Sequence, residues 1–169
     1  MILLFPLIGM DMDGKSVRFG QSRPEVEGLL GEPELVRNSR CYYCGMELAL
    51  DFDAGGRLEF IEFLGGAEGA LHPELYDRDV FASDADELLA FLMERNGEDV
   101  DDSEAGYSYA LRALSIGLYR EITPADVEEM VREMAKMDVT TLGHVDLDAE
   151  QRRAARWETI GIGREHYYA

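Results

Sequence analysis

Two cysteines, Cys41 and Cys44, bracket a pair of tyrosines and run into Gly45. Thiolates at this spacing can share a zinc ion or cycle between dithiol and disulfide. A structural zinc site needs four ligands, and the chain has no further cysteine; His72, His144 and His166 are scattered, each without a neighbouring ligand. A redox motif of this kind opens a helix, whereas here the segment continues into a strand pattern. On an extended backbone the odd spacing also sends the two thiols to opposite faces. Cys41 and Cys44 are therefore expected to be ordinary half-buried side chains, with metal or redox use as the alternative.

A second acidic constellation lies just beyond. Asp51, Asp53, Gly56, Leu58 and Glu62 fall on positions 1, 3, 6, 8 and 12 of a calcium-binding loop, with Glu62 as the bidentate carboxylate. Such a loop needs a helix on each side. Met46, Leu48, Leu50 and Phe52 instead alternate with Glu47, Ala49 and Asp51, the period of a half-buried strand. The expectation is a β-turn, and calcium at Asp51, Asp53 and Glu62 remains part of the metal-responsive alternative. Asp11 to Gly14 reads as an acidic turn, and Glu98 to Glu104 as a solvated loop.

The common catalytic signatures, G-x-S-x-G, H-E-x-x-H, the P-loop and G-x-G-x-x-G, are missing. An enzyme of unrecognised type would have to use His166 or His144 beside a carboxylate. No catalytic residue and no cofactor is assigned. The aromatic residues are more informative. Tyr107, Tyr109, Tyr119, Tyr167 and Tyr168, with Trp157, fall mostly on strand-like segments. Tyrosine and tryptophan anchor protein interfaces because they combine large apolar area with a polar tip. These six are the interface candidates. Methionines along Val127, Met130, Val131, Met134 and Met137 are expected in the core, with an adaptable binding face as the other option.

Charge narrows the partners. Sixteen Lys and Arg against thirty-five Asp and Glu leave a formal charge of −19. Nucleic acid and anionic membrane are poor partners for such a field, since neither releases counterions to it. A basic protein is a good one. Residues 84–104 hold nine acids and one arginine. Residues 150–166 run the other way, with Arg152, Arg153, Arg156 and Arg164.

The elements that must position these residues are announced by their ends. Ser22, Pro24 and Glu25 make a capping box for a short helix that carries Val26, Leu29 and Leu30 and stops at Gly31 and Pro33. Ser83-Asp84 opens a second helix, with Leu88, Leu89, Phe91 and Leu92 inward and Asn96-Gly97 at its end. Thr123-Pro124 opens a third, and a weaker fourth runs from Asp148 to about Arg156. Strands are predicted at the N-terminus, at 46–52 and 58–63 around a turn, at 107–111 and 115–120, at 157–162 and at 166–168. At 169 residues the chain suits one α+β domain, 1–169: an antiparallel sheet with helices packed on one face. The order also fits two tandem helix–β-meander repeats, 17–65 and 80–168. The first nine residues carry no basic region or small-residue cleavage site. Their apolar run falls well short of the about 20 residues a membrane helix needs. A first strand and a cytoplasmic setting with reduced cysteines are expected.

The run from Phe19 and Gly20 through Ser22, Val26, Leu29, Leu30 and Gly31 to Pro33 resembles the opening of the SmpA/OmlA (BamE-type) lipoproteins, over about the first 50 residues at motif level. The helix-then-meander module is similar to each half of the β-lactamase inhibitory protein fold, in which two such units build one sheet. The chain also looks like small acidic bacterial proteins of unknown function, some of them encoded beside toxins as immunity proteins. It lacks the lipid-modified cysteine of the envelope lipoproteins. What the resemblance implies is a protein-binding module, with an immunity or inhibitor role toward a basic partner, and no particular partner.

Overall fold

The computed structural model describes residues 1–137 and 145–169. The α+β expectation holds: four helices and two sheets are present among the described residues. Strands β1 (Ile2–Phe5), β2 (Gly9–Met12) and β3 (Lys15–Arg18) form an antiparallel meander. Asp13 and Gly14, both at positive φ, close the β2–β3 turn in the two-residue hairpin manner. Helix α1 (Arg23–Leu30) follows, and then β4 (Leu35–Arg37), β5 (Arg40–Tyr43), β6 (Leu48–Phe52) and β7 (Leu58–Phe63). Two short strands, β8 (Pro73–Leu75) and β9 (Arg78–Asp79), return to the first sheet, where β8 lies parallel to β1. Helix α2 (Ala85–Asn96) leads to β10 (Val100–Asp101), β11 (Ser108–Leu111) and β12 (Ile116–Tyr119). Helices α3 (Pro124–Met134) and α4 (Leu147–Ala154) precede the last strand, β13 (Thr159–Gly163).

The helix starts follow their caps. Ser22 accepts from the Glu25 amide while Glu25 accepts from the Ser22 amide at 2.7 Å, and Thr123 and Asp126 repeat the arrangement. Each box satisfies amides that the first helical turn leaves unpaired. Gly31 and Gly97, at φ 88° and 79°, stop α1 and α2.

The larger sheet has the order β10-β11-β12-β13-β7-β6-β5-β4. It consists of two four-stranded meanders, each preceded by a helix, joined edge to edge where β13 runs antiparallel to β7. One face carries Cys41, Tyr43, Leu48, Leu50, Ile61, Phe63, Ile162, Ile160, Ile116, Leu118 and Leu111, which are register partners across the strands. All of them are buried in one contiguous core with Ile2, Leu4, Met10 and Val17 of the small sheet and Leu88, Leu89 and Leu92 of α2. The inner face is thus covered by a second sheet as well as by helices. That sheet is an addition to the layer expected from the sequence.

Three local expectations change. The strand at 46–52 begins only at Leu48, because Cys44, Gly45 and Met46 all sit at positive φ in a turn. Residues 166–168 are not a strand; they form a turn after β13. On α3 only Val127 is fully buried, Met130 and Met134 are half-buried, and Val131 and, beyond the helix, Met137 are exposed, so the stripe is only partly core. Helices α3 and α4 pack mainly on each other, off the sheet, which leaves that face only partly covered.

Candidate functional site

The outer face of the large sheet is where the sequence leads one to look for recognition, and its two ends differ. Across the first meander Arg40 bridges Asp51, at 2.7 Å, and Glu62. The same guanidinium lies over the Tyr42 ring, 5.4 Å from its centroid. Burial pushes the Asp51 carboxyl above its ordinary value even with Arg40 beside it. Two of the three carboxylates of the calcium-loop pattern are therefore held by an arginine on a strand face. The third, Asp53, caps the turn by accepting from the Gly55 and Arg57 amides at 2.9 Å, and pairs with Arg164 at 3.0 Å. The turn expectation holds for this segment. Among the described residues no three His, Cys, Asp or Glu side chains gather as a metal site. Cys41 is buried on the inner face of β5 and Cys44 is exposed in the following turn; both are free thiols. Burial raises the pKa of each thiol, most directly against a role as a ready thiolate.

The interface candidates separate into three groups. Trp157 is wholly buried: its Nε1 donates to the Ala85 carbonyl at 2.9 Å and Tyr109 packs edge-on against it at 5.9 Å. The Tyr109 hydroxyl accepts from the Gly106 amide at 2.7 Å. These two belong to the core side of the sheet, so the interface expectation fails for them. Tyr167 and Tyr168 fold back over the outer face onto Phe60. The Phe60 and Tyr167 rings stack at 4.4 Å and 7°, and Tyr168 meets Phe60 edge-on at 6.0 Å. Tyr107 and Tyr119 are 36% and 42% exposed and have no ring stacked on them among the described residues, whereas Tyr167, also 36% exposed, has one face laid on Phe60. With Ser103, Glu104 and Ala105, Tyr107 and Tyr119 line a shallow notch of about 610 Å³ beside the acidic loop that carries β10.

The notch is held from behind. The Tyr107 hydroxyl donates to Asp126 at 2.6 Å, so the capping box of α3 also fixes the ring. That hydrogen bond holds the Asp126 carboxyl below its ordinary value and raises the tyrosine's. Arg120, 3% exposed, secures the base: it donates to the carbonyls of Gly106 at 2.7 Å and Ala154 at 2.8 Å, pairs with Asp86 at 2.9 Å and lies over Trp157. Nothing in the sequence marks Arg120 as buried, since arginine seldom is. The Tyr119 hydroxyl has no hydrogen-bond partner among the described residues; its ring is the free wall of the notch.

Of the histidines named for catalysis, only His166 lies among the described residues. His166 is a fully exposed turn residue at φ 64°, 3.7 Å from Glu165, and His144 lies outside the described residues. The histidine that does meet a carboxylate is His72, whose Nδ1 is 3.0 Å from Asp79. Asp79 in turn accepts from the Phe81 and Ala82 amides at 2.9 and 2.8 Å, so the pair ties β9 to the start of the next segment. A cleft of about 1010 Å³ lies between residues 64–68 and α4, lined by both signs of charge, including Arg152, Arg156, Glu68 and Asp148. Neither His72 nor His166 lines it. No protein family, no curated protein and no solved structure matches this chain. No described helix is long and apolar enough to cross a membrane.

Proposed function

We propose that the protein is a recognition module for a basic protein partner, and that the notch walled by Tyr107 and Tyr119 receives a cationic side chain of that partner. The observation that carries the proposal is the pairing of two open tyrosine rings with Glu104 in a chain of formal charge −19. A lysine or arginine between them gains cation–π attraction from the rings and Coulomb attraction from the carboxylate. Long-range attraction by the acidic loop speeds encounter and weakens with salt. The resemblance of residues 19–33 to binding-module openings supports the same class, and an immunity or inhibitor role belongs to this proposal. So does a cytoplasmic setting, which the two free thiols favour.

The test is an NMR titration of labelled protein with a short Arg- and Lys-rich peptide at low and at physiological salt. Shifts localised to Glu104, Tyr107 and Tyr119, weakened at least tenfold in Tyr119→Ala and fading with salt, are expected. Shifts spread evenly over the acidic surface, unchanged in Tyr119→Ala, would reduce the effect to bulk charge and end the proposal.

A further inference from the structure

The middle of the outer face is closed by the chain itself. After β13 the backbone turns back, and residues 164–169 lie across β7, β13 and β12 with Tyr167 and Tyr168 face down. They can do so because the strands beneath them carry no side chains there. Gly117 and Gly161 are direct register partners, and both lie on the outer face with Glu62. A β-carbon on Gly117 would overlap the Tyr168 hydroxyl, one on Gly161 would come within 2.9 Å of that oxygen, and one on Gly163 within 2.5 Å of the Tyr167 β-carbon. Glycine inside a strand costs about 0.5–1 kcal/mol relative to alanine. Three such positions under two rings mark a surface shaped for aromatic side chains at close range.

The tail's hold on that surface differs from that of a strand. It makes no ladder with β12 or β7. Its fastenings are Arg164 to Asp53 and Glu59, each at 3.0 Å, the Arg164 amide to the Glu59 carbonyl, Ser115 Oγ to the Arg164 carbonyl, and Arg112 Nε to the Tyr168 carbonyl. Arg164 is half-exposed, so its ion pairs are screened by solvent. What remains is two hydrogen bonds at the Arg164 backbone, one from Arg112 to the Tyr168 carbonyl, and the stacking of Phe60, Tyr167 and Tyr168, a contact another aromatic pair can copy. Burial raises the pKa of both tyrosine hydroxyls, as expected of rings laid on the sheet, although Tyr167 keeps its outer side in water.

We propose that residues 164–169 are a displaceable strap: an intramolecular ligand that keeps the outer face of the sheet closed until an aromatic-bearing segment of a partner takes its place. This goes beyond the notch, which lies at the other end of the same half-sheet and stays open whether or not the strap is seated. Tethering gives the tail a local concentration of millimolar order, so a competing segment must bind well to displace it.

The test compares the full chain with one ending at Gly163, using a fluorescent peptide of residues 164–169 as the probe. The shortened chain should fold, judged by circular dichroism and a cooperative melt, and should bind the peptide saturably. The full chain should bind it at least tenfold more weakly, and Gly117→Ala in the shortened chain should abolish binding. Limited trypsin digestion of the full chain should cut at Arg164 well before other sites. A shortened chain that fails to fold would make the tail part of the core. A folded one that ignores the peptide, equal binding by both chains, retained binding in Gly117→Ala, or protection of Arg164 as strong as that of the core would each overturn the proposal.

Discussion

The two meanders of the large sheet share a strand order and are secured by different means. The first, β4 to β7, is continuous in sequence, closes with short turns, and has an outer face zipped by Arg40 between Asp51 and Glu62. The second, β10 to β13, is interrupted between β12 and β13 by α3 and α4, so its last strand must be brought back from a distance. That return depends on a buried arginine, on the Trp157–Ala85 hydrogen bond, and on the tail laid over Gly117 and Gly161. Local sequence closes the first meander, whereas long-range contacts close the second. The open notch and the strap both belong to the second, where the backbone is less constrained by its neighbours in sequence.

The contrast can be tested by single substitutions. Arg120→Ala should be the most damaging, at about 3 kcal/mol in chemical denaturation. It strands the Gly106 and Ala154 carbonyls and removes the cation over Trp157. Arg40→Ala, its counterpart in the first meander, should cost less, about 2 kcal/mol, because it leaves the largely buried carboxylates of Asp51 and Glu62 without their cation but strands no backbone carbonyl. A near-equal loss would erase the distinction drawn between the two halves. Gly161→Val should cost about 2 kcal/mol by overpacking against Phe60 and Tyr168, with the melting temperature as the readout.

Thr123→Ala should cost about 1 kcal/mol through loss of the α3 cap, and should also move the acid limb of the stability curve. Asp126 has a folded pKa below its ordinary value, chiefly through the Tyr107 hydroxyl and then the Thr123 amide. Its contribution is therefore present above the ordinary carboxylate range and disappears as pH falls through the lowered value. Tyr107→Phe should lower the neutral-pH melt and flatten that limb, leaving the melt at acid pH nearly unchanged. In the first meander the Tyr43 hydroxyl is buried with no hydrogen-bond partner among the described residues, and burial pushes its pKa to about 12. Tyr43→Phe should stabilise by up to about 1 kcal/mol. Asp51→Asn should fall within about 0.5 kcal/mol of the parent at neutral pH. Burial already works against that charge, and Arg40 keeps Glu62.

Much of the layout is legible in the residues alone. The capping boxes at Ser22 and Thr123, the glycine stops at Gly31 and Gly97, and the alternation through Leu48, Leu50 and Phe52 each act over a few residues, and each appears where the pattern places it. Tyr107 and Tyr119 were nameable as interface candidates because they are tyrosines on strand-like segments, a residue type that anchors interfaces. Which tyrosines stay open was not readable, because alternation says that a side chain faces one side of a strand and not what lies over it. Trp157 and Tyr109 were claimed by the core, and Tyr167 and Tyr168 by the tail. Met130, Val131 and Met134 carry a core-like stripe that the fold covers only in part, since α3 leans on α4 instead of the sheet.

By itself the sequence determined where helices begin and end, where hairpins turn, and the sign of the field a partner meets. Those outcomes rest on backbone sterics, local hydrogen bonds and net charge, all set within a few residues or by simple counting. Only the tertiary structure decided that a second sheet covers the inner face, that Arg120 is buried, and that Tyr168 lies on Gly117 and Gly161. Each of these joins residues far apart in the chain. Whether such groups meet depends on the packing of the whole core and not on the preference of any one segment.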